Sequence, residues 1–205
     1  MADSRAERER FRPAVTPAYA DPKLNSYRIE TGEAEADDPL HFAGSLIEII
    51  RARPRQEIGS HTFAHYYPLE PGHDPKSFRS DLESAVAIAR AQGIEPRSLV
   101  FPRNQFNPDY AGIIAEAGFT VCRSNAAGWL HREAAGARYF RTDIRAGRLL
   151  DNYLPITGDQ VITWDEIPFA GPLCCLPASH FLRAYSPLLR HLDGLRFRRI
   201  AHGLR

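Results

Sequence analysis

Ser98-Leu-Val-Phe-Pro-Arg-Asn-Gln-Phe-Asn-Pro108 is the stretch on which the fold turns. Its first four residues form a short apolar run of buried-strand type, and Pro102 ends it. Asn107-Pro108 then reads as a helix start, a capping side chain followed by Pro at the first helical position. That helix is expected to end at Gly118, and Phe119-Thr-Val-Cys122 reads as the next strand. On the other side, Asp74-Pro75 opens a helix with Phe78, Leu82, Val86 and Ala89 on one stripe, stopped near Gln92-Gly93. Further back, Gln56-Glu-Ile58 predicts a strand closing at Gly59. A helix over Leu40–Ala52 precedes it, with Phe42, Leu46, Ile49 and Ile50 at helical spacing and Pro54 beyond. Helix and strand thus alternate three times over residues 40–123. The expected class is α/β, with parallel strands, helical crossovers and the chemistry at the C-terminal strand ends.

The flanks are less regular. Residues 1–38 carry Pro13, Pro17 and Pro22 and the charged run Glu33-Ala-Glu-Ala-Asp-Asp38. They read as a poorly ordered tail with at most a short strand at Tyr27-Arg-Ile29, leaving residues 39–205 as the domain. After residue 124 the pattern predicts a helix around Tyr139–Leu149, a strand Gln160–Trp164 and a loop Asp165–Pro177. Helices over Ala178–His191 and Leu195–His202 follow.

Composition excludes several partners. Among 205 residues, 26 Lys and Arg face 25 Asp and Glu, a net charge of +1. This gives no electrostatic reason to expect nucleic acid or anionic lipid. No run of 18 apolar residues suggests a transmembrane helix, and the charged N-terminus is not a secretory signal. Three cysteines, two of them adjacent, do not make a disulfide framework, so a reducing, cytoplasmic setting is expected.

The chemistry concentrates in two places. Glu57-Ile-Gly-Ser-His-Thr-Phe-Ala-His65 puts His61 and His65 four apart just past a strand end. On a helical turn that spacing brings two imidazoles to one side, close enough to share a divalent metal. Phe101-Pro-Arg-Asn-Gln105 sends Arg103 into the same rim, where it can orient a carboxylate or an oxyanion. Tyr66 and Tyr67, beside His65, are candidates for lining a groove, with Pro102 and Asn104 flanking the arginine. Trp129 and Trp164 are expected in the core, and Arg196-Phe-Arg-Arg199 on a solvated helix face.

Together the two stretches resemble the polysaccharide deacetylase family (the NodB-homology domain, carbohydrate esterase family 4). Glu57–His65 is similar to its second motif, His-Ser/Thr-x-x-x-His. Leu99–Gln105, followed by Ala111-Gly-Ile-Ile-Ala-Glu-Ala-Gly-Phe-Thr-Val-Cys-Arg123, is similar to its third motif region. The likeness covers roughly residues 39–125. It implies a distorted (β/α) barrel and metal-dependent removal of N-acetyl groups from a carbohydrate, a carbon–nitrogen bond outside peptides. His61 and His65 would be ligands of a divalent metal, commonly zinc, and Arg103 the groove arginine that positions the base.

The family's first motif, a strand ending in Thr-Phe-Asp-Asp, has no counterpart. Asp37-Asp38 follows Glu-Ala-Glu-Ala rather than an apolar strand, so the aspartate role is not carried over to it. The late aromatic-rich His-Pro motif is also absent. His180 is the nearest stand-in by type, ahead of His131 and His202. The expected barrel is therefore partial, incomplete at both ends. The alternative to an active hydrolase is a truncated or inactive member that binds metal or saccharide. Uncovered sheet edges would permit an oligomer in which another chain supplies the missing strand.

Overall fold

The computed structural model describes residues 2–125, 128–131, 141–158, 162–178 and 191–203. An open sheet of four strands lies at its centre, in the order β1-β2-β4-β3. The strands are β1 (Ser98–Val100), β2 (Val121–Ser124), β3 (Phe169–Ala170) and β4 (Leu173–Pro177). β1, β2 and β4 run parallel, with Leu99 opposite Cys122 and Cys122 opposite Cys175. β3 pairs antiparallel on β4, Phe169 opposite Cys174. The helices are α1 (Arg5–Arg10), α2 (Gly44–Arg51), α3 (Pro75–Ala91), α4 (Ala111–Glu116), α5 (Thr142–Asp151) and α6 (Asp193–Gly203). The chain is thus mixed α/β with a mostly parallel sheet.

Local chemistry sets the two helices that pack on the sheet. At the start of α3, Asp74 Oδ1 accepts from the backbone N–H groups of Lys76 (2.9 Å) and Ser77 (3.0 Å), and Pro75 occupies the first turn. The helix ends at Gly93 (φ +71°), where the Gly93 and Ile94 N–H groups bond back to the Arg90 and Ala89 carbonyls. α4 ends the same way at Gly118 (φ +100°), with Phe119 bonding to Ile114. Both exits aim an apolar residue inward. The stripe Phe78, Leu82, Val86 on α3 meets Leu99, Phe101, Ile114, Phe119, Cys122 and Leu173 in one buried cluster. Each of these aromatic side chains stabilises the core by about 3–5 kcal/mol on the scale of truncation to Ala.

Several elements differ from the sequence expectation. Gln56-Glu-Ile58 makes no ladder, because Gln56 and Glu57 are both exposed and have no face to bury. Pairing begins only at Ser60, an isolated parallel bridge to Leu99. The strand expected at Phe119–Cys122 starts two residues later. Asp165–Pro177, expected as a loop, contains β3 and β4. Leu173 and Cys175 are buried there and Leu176 is not, a period of two that becomes meaningful once β2 lies alongside. Trp164, expected to end a strand from Gln160, instead opens a 3-10 turn, Trp164–Glu166, and residues 160 and 161 lie outside the described residues. Tyr27 and Arg28, expected in a strand with Ile29, lie in the 3-10 turn Ser26–Arg28. The expected helix over Ala178–His191 falls mainly outside the described residues.

The leading segment, expected as a poorly ordered tail, contributes buried side chains. Tyr19 and Tyr27 are 9% and 5% exposed. Ala18 and Ala20 donate backbone hydrogen bonds to the Gly72 and Pro71 carbonyls, and the Val15 N–H donates to Ser80 Oγ. The Tyr27 hydroxyl donates to the buried Asp81 carboxylate on α3. A few aromatic anchors, rather than any helical or strand periodicity, fasten this arm.

Candidate histidine and arginine site

Two loops leave the sheet side by side. The Ser60 N–H bonds to the Ser98 carbonyl (2.8 Å), and the Val100 N–H to the Ser60 carbonyl (2.9 Å). The chain after Ser60 and the chain after β1 therefore emerge at the same C-terminal edge, where parallel sheets place their chemistry. Both loops are strained. Of the five non-glycine residues with positive φ among the described residues, four lie here: Thr62 (+66°), His65 (+58°), Arg103 (+53°) and Asn104 (+54°). Left-handed backbone costs an L-residue about 1–2 kcal/mol, and such strain persists only where surroundings over-determine it.

Those surroundings are visible. Thr62 donates its N–H to Ser60 Oγ (3.1 Å), and its hydroxyl accepts from the Tyr66 N–H (2.7 Å). Asp81, completely buried, accepts from the Phe63 N–H (2.9 Å) and the Ala64 N–H (3.1 Å) as well as from Tyr27. Its desolvation raises the carboxyl pKa to about 6, even though all three hydrogen bonds pull the other way. Asp81 is thus the peg of the histidine loop. A charged residue on the buried stripe between Phe78 and Leu82 was a signal in the sequence that could have revealed it.

The loop brings the two imidazoles together. The His61 and His65 ring centroids are 4.9 Å apart, edge to face. His61 Nδ1 lies 2.7 Å from the Val100 carbonyl. A carbonyl only accepts, so Nδ1 carries a proton, and in the neutral imidazole Nε2 presents the lone pair. Desolvation, then the charges of His61 and Arg103, push the His65 imidazole down to about 4. Both rings are therefore arranged as nitrogen donors.

Arg103 stands beside them. Its guanidinium carbon lies 4.7 Å from the centre of the Tyr67 ring, and the Tyr67 and His65 ring centroids are 5.0 Å apart, edge to face. Arg103 Nη1 donates to Glu70 Oε1 (3.1 Å), which also accepts from Gln105 Nε2 (2.9 Å). Glu70 is 2% exposed and joins the two loops. Sequence reasoning missed Glu70 and Gln105, and no motif marks either. Tyr67 is held in turn by Tyr19, whose hydroxyl accepts from the Tyr67 N–H at 2.7 Å.

The expected site residues divide accordingly. His61, His65, Tyr67 and Arg103 come together, and Asn104 sits at the rim, its carbonyl accepting from Asn125 Nδ2 (3.1 Å). Tyr66 does not line a groove. It is 0% exposed, its ring against Phe78 and its hydroxyl on Ser77 and Asp74, and Tyr67, 7% exposed, is buried as well, with the Arg103 guanidinium over its ring. Pro102 is likewise buried. Asp37 and Asp38 accept from the backbone of residues 32–34 within their own turn, and Asp38 pairs with His41. His131 pairs with Asp151 (2.9 Å), apart from this cluster. His180 lies outside the described residues. Trp129 and Trp164, expected in the core, are exposed, and Arg196, expected on a solvated face, is buried.

The donor set fits a divalent metal in part. Two imidazoles with one tautomer fixed by a backbone carbonyl are suited to it. Among the described residues, however, no group of three His, Cys, Asp or Glu side chains is placed to hold one ion. No helix among the described residues is long and apolar enough to cross a membrane. No family model, no curated protein and no solved structure matches this chain.

Proposed function

We propose that this chain is a polysaccharide deacetylase-like hydrolase, which removes N-acetyl groups from a carbohydrate with the help of a divalent metal, zinc by ligand type. The observation that carries the reading is the His61–His65 pair at the sheet's C-terminal edge, with His61 oriented by Val100. In this reading the open sheet is an arc of a NodB-type barrel. His61 Nε2 and a neutral His65 hold the ion. When bound, the ion supplies a Lewis acid that polarises an amide carbonyl and acidifies water. Arg103, fixed by Glu70 and Tyr67, places a cation beside the reacting oxygen, and Asn104 offers polar contact at the rim.

A second reading is a non-catalytic member that binds metal or saccharide. It is favoured by the engagement of Arg103 with the buried Glu70, which leaves the arginine locking two loops rather than aligning a base.

Metal content of the purified chain, measured against His61→Ala/His65→Ala, tests the shared part. Equal content in the two overturns both metal readings. Acetate release from N-acetylated oligosaccharides, lost in the double variant, selects the hydrolase. Metal retention without acetate release selects the binding protein.

A further inference from the structure

Behind the histidine loop lies a cavity of about 420 Å³, inside the range of small-molecule sites. Its walls come from the leading arm, the Thr62–His65 loop and α3. Its apolar lining includes Phe42, Phe63 and Ile88, and its charged lining comes from α1 and the residues just after it. Arg8 and Arg12 stand there with a single carboxylate, Glu9, which Arg12 already engages at 3.0 Å. The lining therefore holds one uncompensated positive charge.

Arg8 is fastened in a way that leaves a particular edge. Nη1 and Nη2 both donate to the Ile29 carbonyl at 3.1 Å, and Nη1 also donates to Thr31 Oγ1 at 3.1 Å. A guanidinium has five N–H groups. The two that remain, on Nε and Nη2, form the side-on fork that pairs bidentately with a carboxylate. Among the described residues no carboxylate pairs with Arg8, so the fork is pre-oriented by neutral acceptors alone.

We infer that this cavity binds a small monocarboxylate with an apolar body: the carboxylate on the Arg8 fork, the body over Phe42, Phe63 and Ile88. One net charge matches a carboxylate. A phosphate dianion would bring a second charge against Glu9. The site does not depend on the metal reading, although His65 belongs to both the cavity wall and the histidine pair.

Titrating the full chain with 3-phenylpropionate and with octanoate, followed by NMR, tests the assignment. Saturable shifts at the Arg8 side chain and the Thr62–His65 amides are expected. 3-Phenylpropionamide should bind at least tenfold more weakly, because it lacks the charge, and Arg8→Met should cost both acids a similar factor. Arg8 also ties Ile29 and Thr31, so Ala64→Leu, which fills the cavity and keeps the fork, serves as a second variant and should abolish binding. No saturable binding of either acid, equal binding of acid and amide, or unchanged binding in Ala64→Leu would overturn the inference.

Discussion

Glu70 Oε1 accepts from Arg103 Nη1 at 3.1 Å, in a position only 2% exposed. The same oxygen binds Gln105, so one buried acid locks the loop after β1 to the loop after Ser60. Removing one partner of a buried pair leaves the other charge without compensation. Glu70→Ala should therefore cost about 3 kcal/mol, and Glu70→Gln less, since its amide oxygen still accepts. Urea midpoints check both, and an unchanged midpoint for Glu70→Ala would contradict the role.

Asp81 predicts a pH dependence. Its folded pKa, about 6, lies above the ordinary 3.8 because burial disfavours the charge. The folded state thus binds the proton more tightly than the unfolded state. The stability gained is full below pH 4 and is lost as pH rises through 6. The loss is on the order of 3 kcal/mol at neutral pH. Asp81→Asn cannot ionise, so the stability difference between it and the native chain should vary with pH over 4–7 in that direction. A flat difference would refute it.

His65 should titrate near 4 in an NMR experiment, well below an ordinary histidine. Its imidazole is then neutral at pH 7. His61→Ala admits water and removes a neighbouring charge, so the His65 midpoint should rise toward 6.5. A midpoint that stays put would show that His61 does not shape its environment.

Asn104 has φ +54°, and among the described residues no hydrogen bond of its own side chain compensates the strain. Asn104→Gly should be neutral or stabilising by up to about 1 kcal/mol. Asn104→Val should destabilise by more than that, because branching at Cβ worsens left-handed backbone. Thermal unfolding of the pair gives the comparison.

Much of the frame was legible because it is local. Asp74-Pro75, Gly93 and Gly118 bracket their helices through hydrogen bonds within a turn, and these can be read off residue types. The apolar stripe on α3 needs only helical spacing, and His61 and His65 stood out by separation alone. Their partners were not legible. Tyr66 and Tyr67 are adjacent, chemically alike and both buried, yet one packs on Phe78 and the other under Arg103. Leu173–Pro177 became a strand only because β2 offers it a partner.

The sequence by itself determined the alternation of helix and strand around β1 and β2, the placement of Arg103 in the loop beyond β1, and the spacing of His61 and His65. Those features rest on contacts a few residues long. Tertiary structure decided which acid meets which base: Asp81 with Tyr27 and the histidine loop, Glu70 with Arg103 and Gln105. Such pairings join residues 17 to 54 positions apart. No periodicity encodes them, because a buried charge is satisfied by whatever the packing brings within reach.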